Sequence, residues 1–220
     1  MSEASAFTQV VTLEGRFVRL EPLSPAHAEA LWSAAQEDHA RIFHWTVRNI
    51  DSLEAMRQYI MAALEEQRQG TSLPFCSIHL ETKKRVDLGT QKIKSGRAAG
   101  STRFLNMDAA NRRVEIGNTW LGTRFQRTAL NTEAKYLMLR HAFETLGCMR
   151  VELKTDSLNE SSRRAILRLG AVEEGVFRNH QFTQEGRVRH TVWYSIIDSE
   201  WPAVKAGLEE KLARSAAAGG

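Results

Sequence analysis

The stretch that decides the fold is "VEIGNTWLG" at residues 114–122, followed at once by "FQRTALNTEAKYLMLRHAF" at 125–143. The first segment is typical of a strand, and the second has the apolar spacing of a helix, about 129–146, that ends at Gly147. The first amides of such a helix have no intrahelical partner, and the helix dipole adds partial positive charge there. A strand that leads into a helix in this way can hold a diphosphate on backbone groups alone.

The composition is that of an ordinary globular protein. The 220 residues are 42% hydrophobic and 25% charged, and no leader and no run of 18 apolar residues occurs, so we expect one soluble domain and no membrane contact. Cys76 and Cys148 stand in no metal-binding pattern, which predicts buried thiols, no metal and a cytoplasmic setting. The net charge is +4 and the pI is near 9.3, but the basic residues are scattered, which argues against a specific nucleic-acid site.

The other elements follow from periodicity and from helix start and stop signals. They are predicted as a strand at 13–23, helices at 24–38 and 52–70 around a loop at 39–51, strands at 73–81, 99–107, 112–121 and 149–156, a helix at 159–170 and a final hairpin. Residues 82–97 fit either a hairpin extension or a loop. This order predicts an α/β fold with a mixed sheet, in which the strand-helix-strand unit around 114–155 is parallel across its crossover.

Three segments in this order resemble the GNAT superfamily of acyl-CoA-dependent N-acetyltransferases, in particular its RimJ/RimL-like branch. They are "EIGNTWL", the loop with "TEAKYLML", and "RVELKTDSLNESSRRAILRLGAVEEG" at 150–175. The resemblance runs from Gly15 to about Leu212. It implies a central mixed, mostly antiparallel sheet of about seven strands flanked by helices, with a splayed parallel pair at the acyl-CoA site. The predicted domain is 13–212, with flexible ends at 1–12 and 213–220.

The resemblance also implies an activity. The protein would move an acetyl group from acetyl-CoA to a primary amine by direct attack in a ternary complex, without a metal. A protein N-terminal α-amine is the expected acceptor, with a ribosomal protein as one candidate, and a small amine is the alternative within the class. Family habit implies a homodimer. Two readings from other classes stay open: a non-catalytic acyl-CoA-binding or regulatory module, and an RNA- or ribosome-associated binding protein.

The family's phosphate loop, Q/R-x-x-G-x-G/A, falls on Gln126, Arg127, Thr128, Ala129, Leu130 and Asn131. Gln126 fits the pattern, whereas Ala129 and Asn131 replace the small or glycine positions. A helix start needs no left-handed residue, so we expect the helix to begin at Thr128 or Ala129, with Thr128 as the cap and Asn131 near the third position. Arg127 would add a charge-assisted contact to a phosphate. An ordinary capped helix that touches no ligand is the alternative.

The strand before this loop is expected to bind the pantetheine arm. In the family, backbone groups at the positions of Asn118, Trp120 and Leu121 pair with the arm as another strand would. Gly117 would ease the local distortion of the strand. Trp120 fits a contact with the arm or a place in the core equally well.

The helix after the next strand supplies the remaining cofactor contacts. Asn159 matches the family's pantetheine-binding asparagine, and Ser162 lies on the same helix face. Many members carry a tyrosine that protonates the leaving thiolate, but Ile166 occupies its place here. Ser162 is therefore the candidate that hydrogen-bonds or protonates the thiolate, and a structural role at the helix start is its alternative.

The acceptor amine must be neutral to attack. An α-amino group with a pKa near 8 is about one-tenth neutral at pH 7, whereas a lysine is almost entirely charged. Glu115 is the first choice for a general base, directly or through water, and an exposed strand carboxylate paired to Arg112 or Arg113 is the alternative. His44 and Trp45 lie in the loop where the family binds acceptors.

Overall fold

The computed structural model describes residues 7–46, 50–87, 92–183 and 185–218. Its strands are β1 Leu13–Glu14, β2 Val18–Pro22, β3 Leu73–Asp87, β4 Lys92–Asp108, β5 Arg113–Leu121, β6 Arg150–Asp156, β7 Val172–Phe182 and β8 Val188–Ile197. They form one eight-stranded sheet in the order β1-β2-β3-β4-β5-β6-β8-β7. Every neighbouring pair is antiparallel except β5 and β6, which are parallel. The predicted mixed α/β sheet is confirmed, with eight strands because a turn at Gly15 divides the predicted first strand in two.

The helices are α1 Ala28–Ala35, α2 His39–Phe43, α3 Leu53–Arg68, α4 Ala129–Arg140, α5 Glu160–Leu169 and α6 Trp201–Ala218. The predicted caps of α3 are confirmed: the Ser52 side chain accepts a hydrogen bond from the amide of Ala55 at 3.1 Å, and Gly70 has a φ of 75°. Short helix α2 lies inside the stretch predicted as a loop. Among the described residues, no helix has the length and apolar character that crossing a membrane requires.

The ends of the chain depart from the predicted boundaries. Helix α6 has no counterpart among the predicted elements, and it continues through residues 213–218 of the expected tail. Its Trp201 stacks on Phe143 with ring centroids 5.3 Å apart, so apolar packing anchors this helix. At the other end, Phe7 is buried in the core although residues 1–12 were predicted to be flexible. Residues 1–6 and 219–220 lie outside the described part of the chain.

The long hairpin of β3 and β4 shows which of the two predicted structures residues 82–97 adopt. β3 runs to Asp87 and β4 begins at Lys92, and the two strands pair through Arg85 and Lys94. Residues 82–97 therefore extend the hairpin, apart from 88–91, which lie outside the described residues.

Helices cover both faces of the sheet. α4, α5 and α6 contribute to one apolar cluster, which includes Val114 and Ile116 of β5. α1, α2 and α3 contribute to a second cluster on the opposite face, over β3 and Trp120 of β5. Because side chains alternate along a strand, Glu115 points to the face opposite Val114 and Ile116. The polar side chains of β5, β6 and β8 thus gather beside the second cluster.

Buried Glu133 of α4 fixes the turn between β1 and β2. Its carboxylate accepts hydrogen bonds from the backbone amides of Arg16, Phe17 and Val18 at 2.8, 2.6 and 2.8 Å. Gly15 leaves the room for this contact, since a side chain there would run into the carboxyl group. One side chain thereby attaches the start of the sheet to the helix that follows β5.

Candidate active site

The site is built around a gap between two parallel strands. β5 and β6 pair only through Arg113 with Arg150, Val114 with Val151, and Glu115 with Glu152. Beyond Glu115, β5 continues to Leu121 along β4, while β6 continues to Asp156 along β8. The backbone of residues 117–120 therefore has no strand partner on the side of β6, which leaves a slot in which a ligand can pair as a strand would.

A β-bulge lies in the part of β5 that borders this gap. Arg103 of β4 is opposite Gly117 and Ser101 is opposite Trp120, so Thr102 faces two residues, Asn118 and Thr119. Asn118 has a φ of 46°, in the left-handed region. The two bulged residues, Asn118 and Thr119, are exposed, and their backbone borders the gap.

The helix start after β5 matches the predicted start. α4 begins at Ala129, the hydroxyl of Thr128 accepts from the amide of Leu130 at 3.3 Å, and Asn131 is the third helical residue. Thr128 also donates to the carbonyl of Phe125 at 2.8 Å. Because β5 and β6 are parallel, their C-terminal ends lie at one edge of the sheet, so the amides of α4 and the start of α5 border the same gap.

The loop before α4 differs from the prediction in one respect. The loop does contain a left-handed residue, and it is Arg127, with a φ of 60°. A non-glycine residue there costs about 1 kcal/mol, and the hydrogen bonds on either side hold the backbone in place. The side-chain Nε2 of Gln126 donates to the carbonyl of Leu121 at 2.9 Å, so this side chain closes the loop onto the end of β5. Arg127 itself is exposed to solvent.

Asn159 and Ser162 stand at the start of α5. The Oδ1 atom of Asn159 accepts from the amide of Ser162 at 3.0 Å and caps the helix. Its Nδ2 atom and the hydroxyl of Ser162 make no hydrogen bond to the described residues, and both side chains are half-buried. Ile166, at the position of the family's tyrosine, is buried in the core. Of the side chains named here, Ser162 is thus the one on this helix with a free hydroxyl near the gap.

Glu115 is buried at the point where β5 and β6 part, and its two oxygens differ. Oε2 receives the Lys154 ammonium at 2.8 Å and the Asn106 amide at 2.8 Å. Oε1 points toward Gly117, since a Cβ on that glycine would lie 2.8 Å from it. The predicted alternative, a pair with Arg112 or Arg113, is wrong: the partner is Lys154, and Arg113 pairs with Asp108. One oxygen is held in place while the other faces the bulge.

Gly117→Ala tests this arrangement. The new methyl group would sit 2.8 Å from Oε1 of Glu115 and 2.9 Å from a methyl carbon of Leu105, so the carboxylate must move. We expect kcat to fall about 10-fold or more and the free energy of unfolding to fall by about 1–3 kcal/mol. Gly207→Ala is the matched control, because nothing lies near its Cβ in α6; it should leave kcat unchanged. Equal kcat in both variants, measured with saturating substrates, would contradict the placement of Glu115.

A charged cluster lies at the end of β6. The buried carboxylate of Asp156 pairs with Arg187 at 2.5 Å and lies 3.9 Å from Arg189. Arg187 packs over the Trp45 ring at 5.7 Å, and Arg189 donates to the Trp45 carbonyl at 3.4 Å. The structure thus brings Trp45 to the β7–β8 hairpin near the gap. His44 stacks edge-on against Trp45 at 4.5 Å and is otherwise exposed.

Comparison with known proteins identifies the family. The family profile of the acetyltransferase (GNAT) domain matches residues 18–172. The chain belongs to the GNAT acetyltransferase family. A GCN5-related N-acetyltransferase from Brucella melitensis has a crystal structure that superposes with a TM-score of 0.81 at 32% identity, covering 93% of this chain and 86% of that one.

Two further proteins are similar to this GNAT chain. YdaF of Bacillus subtilis (strain 168), provisionally named a ribosomal N-acetyltransferase, is 27% identical over 190 residues, 86% of this chain and 95% of that protein. RimJ of Mycobacterium smegmatis, solved with CoA-disulfide, shares the fold with a TM-score of 0.75 at 20% identity, covering 93% and 96% of the two chains. The chain is thus an N-acetyltransferase of a family that uses acetyl-CoA, and its likeness to RimJ is one of fold.

Some predicted positions of this GNAT site serve the core. Trp120 is 5% exposed and packs edge-on against Phe43 at 5.2 Å, which favours the core position over a contact with the arm. Leu121 and Leu130 are also buried. Both cysteines are free and buried, as predicted, and burial raises the pKa of Cys148 to about 12. Among the described residues, no three His, Cys, Asp or Glu side chains are grouped to hold a metal ion.

Several side chains of the site escaped the sequence analysis. Lys154 and Asn106 meet Glu115 from other strands, at separations that no local pattern reveals. Lys135 of α4 had a visible signal, since this charged residue lies in the helix stretch whose neighbours Ala134 and Leu137 are apolar. Its side chain is only 6% exposed. A charged residue that interrupts the apolar stripe of a helix is the sequence signal that could have identified Lys135.

Proposed function

We propose that this enzyme transfers the acetyl group of acetyl-CoA to the α-amine of a protein N-terminus, with a ribosomal protein as the first candidate acceptor. The observation that carries the proposal is the gap between β5 and β6, which opens beyond Glu115 and Glu152. A pantetheine arm in the gap would pair with the backbone of β5. The diphosphate would lie at the amides of α4, which the dipole favours. The name of YdaF supports the choice of acceptor.

The side chains around the gap fit direct transfer. The neutral amine attacks the thioester carbonyl, Glu115 accepts the amine proton through water at Oε1, and the thiolate leaves toward Ser162. The Ser162 hydroxyl stabilises the thiolate, or protonates it and regains its proton from solvent. Glu115 releases the amine proton to solvent, so the protein returns to its starting charge. The acceptor enters along the side of the gap that Trp45 and the β7–β8 hairpin border. Arg127 and Asn131 contact phosphate oxygens at the start of α4.

The activity is tested with acetyl-CoA and paired peptides. One peptide of each pair has a free α-amine, the other a blocked one, and both carry an internal lysine. We expect acetylation, located by tandem mass spectrometry, on the free α-amine alone. Transfer to lysine in blocked peptides, or only to small amines, would refute the proposed acceptor. Tight binding of acetyl-CoA without transfer to any amine would favour a non-catalytic module, and salt-sensitive RNA binding that acetyl-CoA leaves unchanged would favour an RNA-binding protein.

Asn159→Ala tests the cofactor site. Asn159 both caps α5 and, in this proposal, donates Nδ2–H to the pantetheine arm. We expect the alanine variant to raise the Kd for acetyl-CoA about 10-fold, the effect of one lost hydrogen bond. Asn159→Asp keeps the cap but lacks the amide donor, so it should raise the Kd similarly while its Tm stays near wild type. A Kd that rises only in the alanine variant would assign Asn159 to capping alone.

A further inference from the structure

Lys135 reaches the bulge of β5 from the helix above it. Its Nζ atom lies 2.6 Å from the Thr119 hydroxyl and 3.3 Å from the Thr102 hydroxyl, and these two hydroxyls are 2.8 Å apart. Thr102 is the β4 residue opposite the bulge, and Thr119 is one of the two bulged residues. The three side chains, named here the Lys135 cluster, therefore close a triangle across the bulge on the face that α4 covers.

No carboxylate accompanies the Lys135 ammonium among the described residues. Glu133 on the same helix is bonded to the β1–β2 turn. The charged neighbours on the two strands, Arg103 and Glu115, lie on the opposite face with Glu66 and Lys154. Burial alone lowers the pKa of Lys135 to about 7. Burying an amine costs more free energy than burying an apolar side chain of the same size. The presence of a lysine at this position therefore indicates a functional role.

We propose that Lys135 is a positioning residue of the acyl site: with Thr102 and Thr119 it fixes the bulge of β5, and its ammonium supplies a buried positive charge that favours an anionic acyl-CoA. The inference rests on the proposed function, because it places the acyl group beside this bulge. The backbone of Asn118 and Thr119 borders the gap, so whatever fixes the bulge also fixes the groups that would bind the thioester. Lys135 acts through Thr119 and touches no reacting atom.

The charge of Lys135 also couples to binding. Lys135 is seven residues after the cap Thr128, which places it about 10 Å along the helix from the expected diphosphate. Across a water-poor interior, anionic phosphates at this distance favour the protonated amine. Acetyl-CoA binding should therefore take up part of a proton above pH 7, where the free enzyme holds the amine mostly neutral.

The first experiment measures proton uptake on binding. Acetyl-CoA is titrated by calorimetry at pH 8 in two buffers that differ in ionisation enthalpy, with wild type, Lys135→Met and Lys205→Met. Lys205 is the control, since it lies on α6 and pairs with Glu144. We expect wild type and Lys205→Met to take up at least about 0.3 proton more than Lys135→Met. The phosphates of the ligand contribute equally to all three proteins, so equal uptake throughout would overturn the electrostatic part.

The second experiment measures the bulge without any ligand. Hydrogen exchange of residues 116–121 is compared in wild type, Lys135→Met and Thr119→Val. We expect these residues to exchange about 10-fold faster in both variants, while the exchange of β8 stays unchanged. Both variants should also have a kcat about 10-fold lower than wild type, with little change in the KM of the acceptor. Lys135→Arg, which stays charged, should recover most of kcat without the proton uptake. Unchanged exchange and kcat in Thr119→Val would overturn the positioning role even if Lys135→Met failed to fold.

The two failures can be told apart. If wild type bound no acetyl-CoA, the proposed function would be wrong, while the exchange data would still decide whether the Lys135 cluster holds the bulge. If acetyl-CoA bound and was turned over, but Lys135→Met matched wild type in exchange, kcat and proton uptake, the proposed function would stand and this inference would be wrong.

Discussion

Glu115→Gln is expected to lower kcat about 100-fold at pH 7. In the proposed reaction, Oε1 of Glu115 takes the proton of the acceptor amine through water, and an amide oxygen is far too weak a base to replace it. The substitution preserves shape and burial, so the loss reports on proton transfer. Initial rates with a free-amine peptide and saturating acetyl-CoA measure it.

The pH profile of Glu115→Gln separates a base from a structural group. As pH rises through the pKa of the α-amine, near 8, more of the acceptor is already neutral. The deficit should therefore shrink to about 10-fold or less at pH 9, because the variant depends on amine that solvent has deprotonated. A deficit that stays constant from pH 7 to 9 would indicate misplaced substrate.

Two variants control for the ion pair. Glu152 lies directly across from Glu115 in the β5–β6 register, and its carboxylate pairs with Arg150 at 2.8 Å. The kcat of Glu152→Gln should stay within about 3-fold of wild type. Lys154→Met breaks the pair but keeps the Glu115 carboxylate. If Lys154→Met lost as much rate as Glu115→Gln, or if Glu115→Gln kept full rate at pH 7, Glu115 would not be the base.

Local signals carried most of the fold. The caps of α3 and α4 depend on residues within about one turn of each other, and so do the left-handed glycines that follow α5 (Gly170) and the π-helical turn His141–Thr145 after α4 (Gly147). The parallel pairing of β5 and β6 joins Arg113 to Arg150, and the strand-helix-strand order predicts it. Helix α6 escaped because its sequence alternates little between apolar and polar faces, and only the packing of Trp201 and Leu208 on the core identifies it. The split of the first strand at Gly15 likewise depends on Glu133, more than a hundred positions away.

The site was predictable where a short motif contains the chemistry. The Thr128 cap and Asn159 follow from neighbouring residues, whereas the Glu115 ion pair joins β5 to β6 across 39 positions. The left-handed residue at Arg127 shows a different limit. The loop has no glycine to mark the position, and the surrounding hydrogen bonds impose the conformation against the residue's preference. Long-range contacts of this kind have no local signature.

The largest loss of stability is expected from Glu133→Ala. The Glu133 carboxylate accepts three backbone amides of the β1–β2 turn at 2.6 to 2.8 Å and is 5% exposed. Hydrogen bonds to a charged group contribute about 1.5–3 kcal/mol each, and their loss leaves buried donors unpaired. Because the three share one acceptor, we expect a combined loss of about 3–5 kcal/mol in the free energy of unfolding, measured by urea denaturation.

Two further variants, Glu133→Gln and Glu210→Ala, serve as a partial loss of the contact and as an exposed control. Glutamine keeps one accepting oxygen but turns an NH₂ group toward the remaining amide, so it should lose roughly half as much as alanine. Glu210 is an exposed helix residue paired with Arg214 at 3.4 Å, and its removal should change stability by less than about 0.5 kcal/mol. Gly15→Ala crowds the same carboxylate from the turn and should destabilise in wild type more than in Glu133→Ala. Equal effects of Gly15→Ala in both backgrounds would mean that the Glu133 carboxylate does not hold the β1–β2 turn.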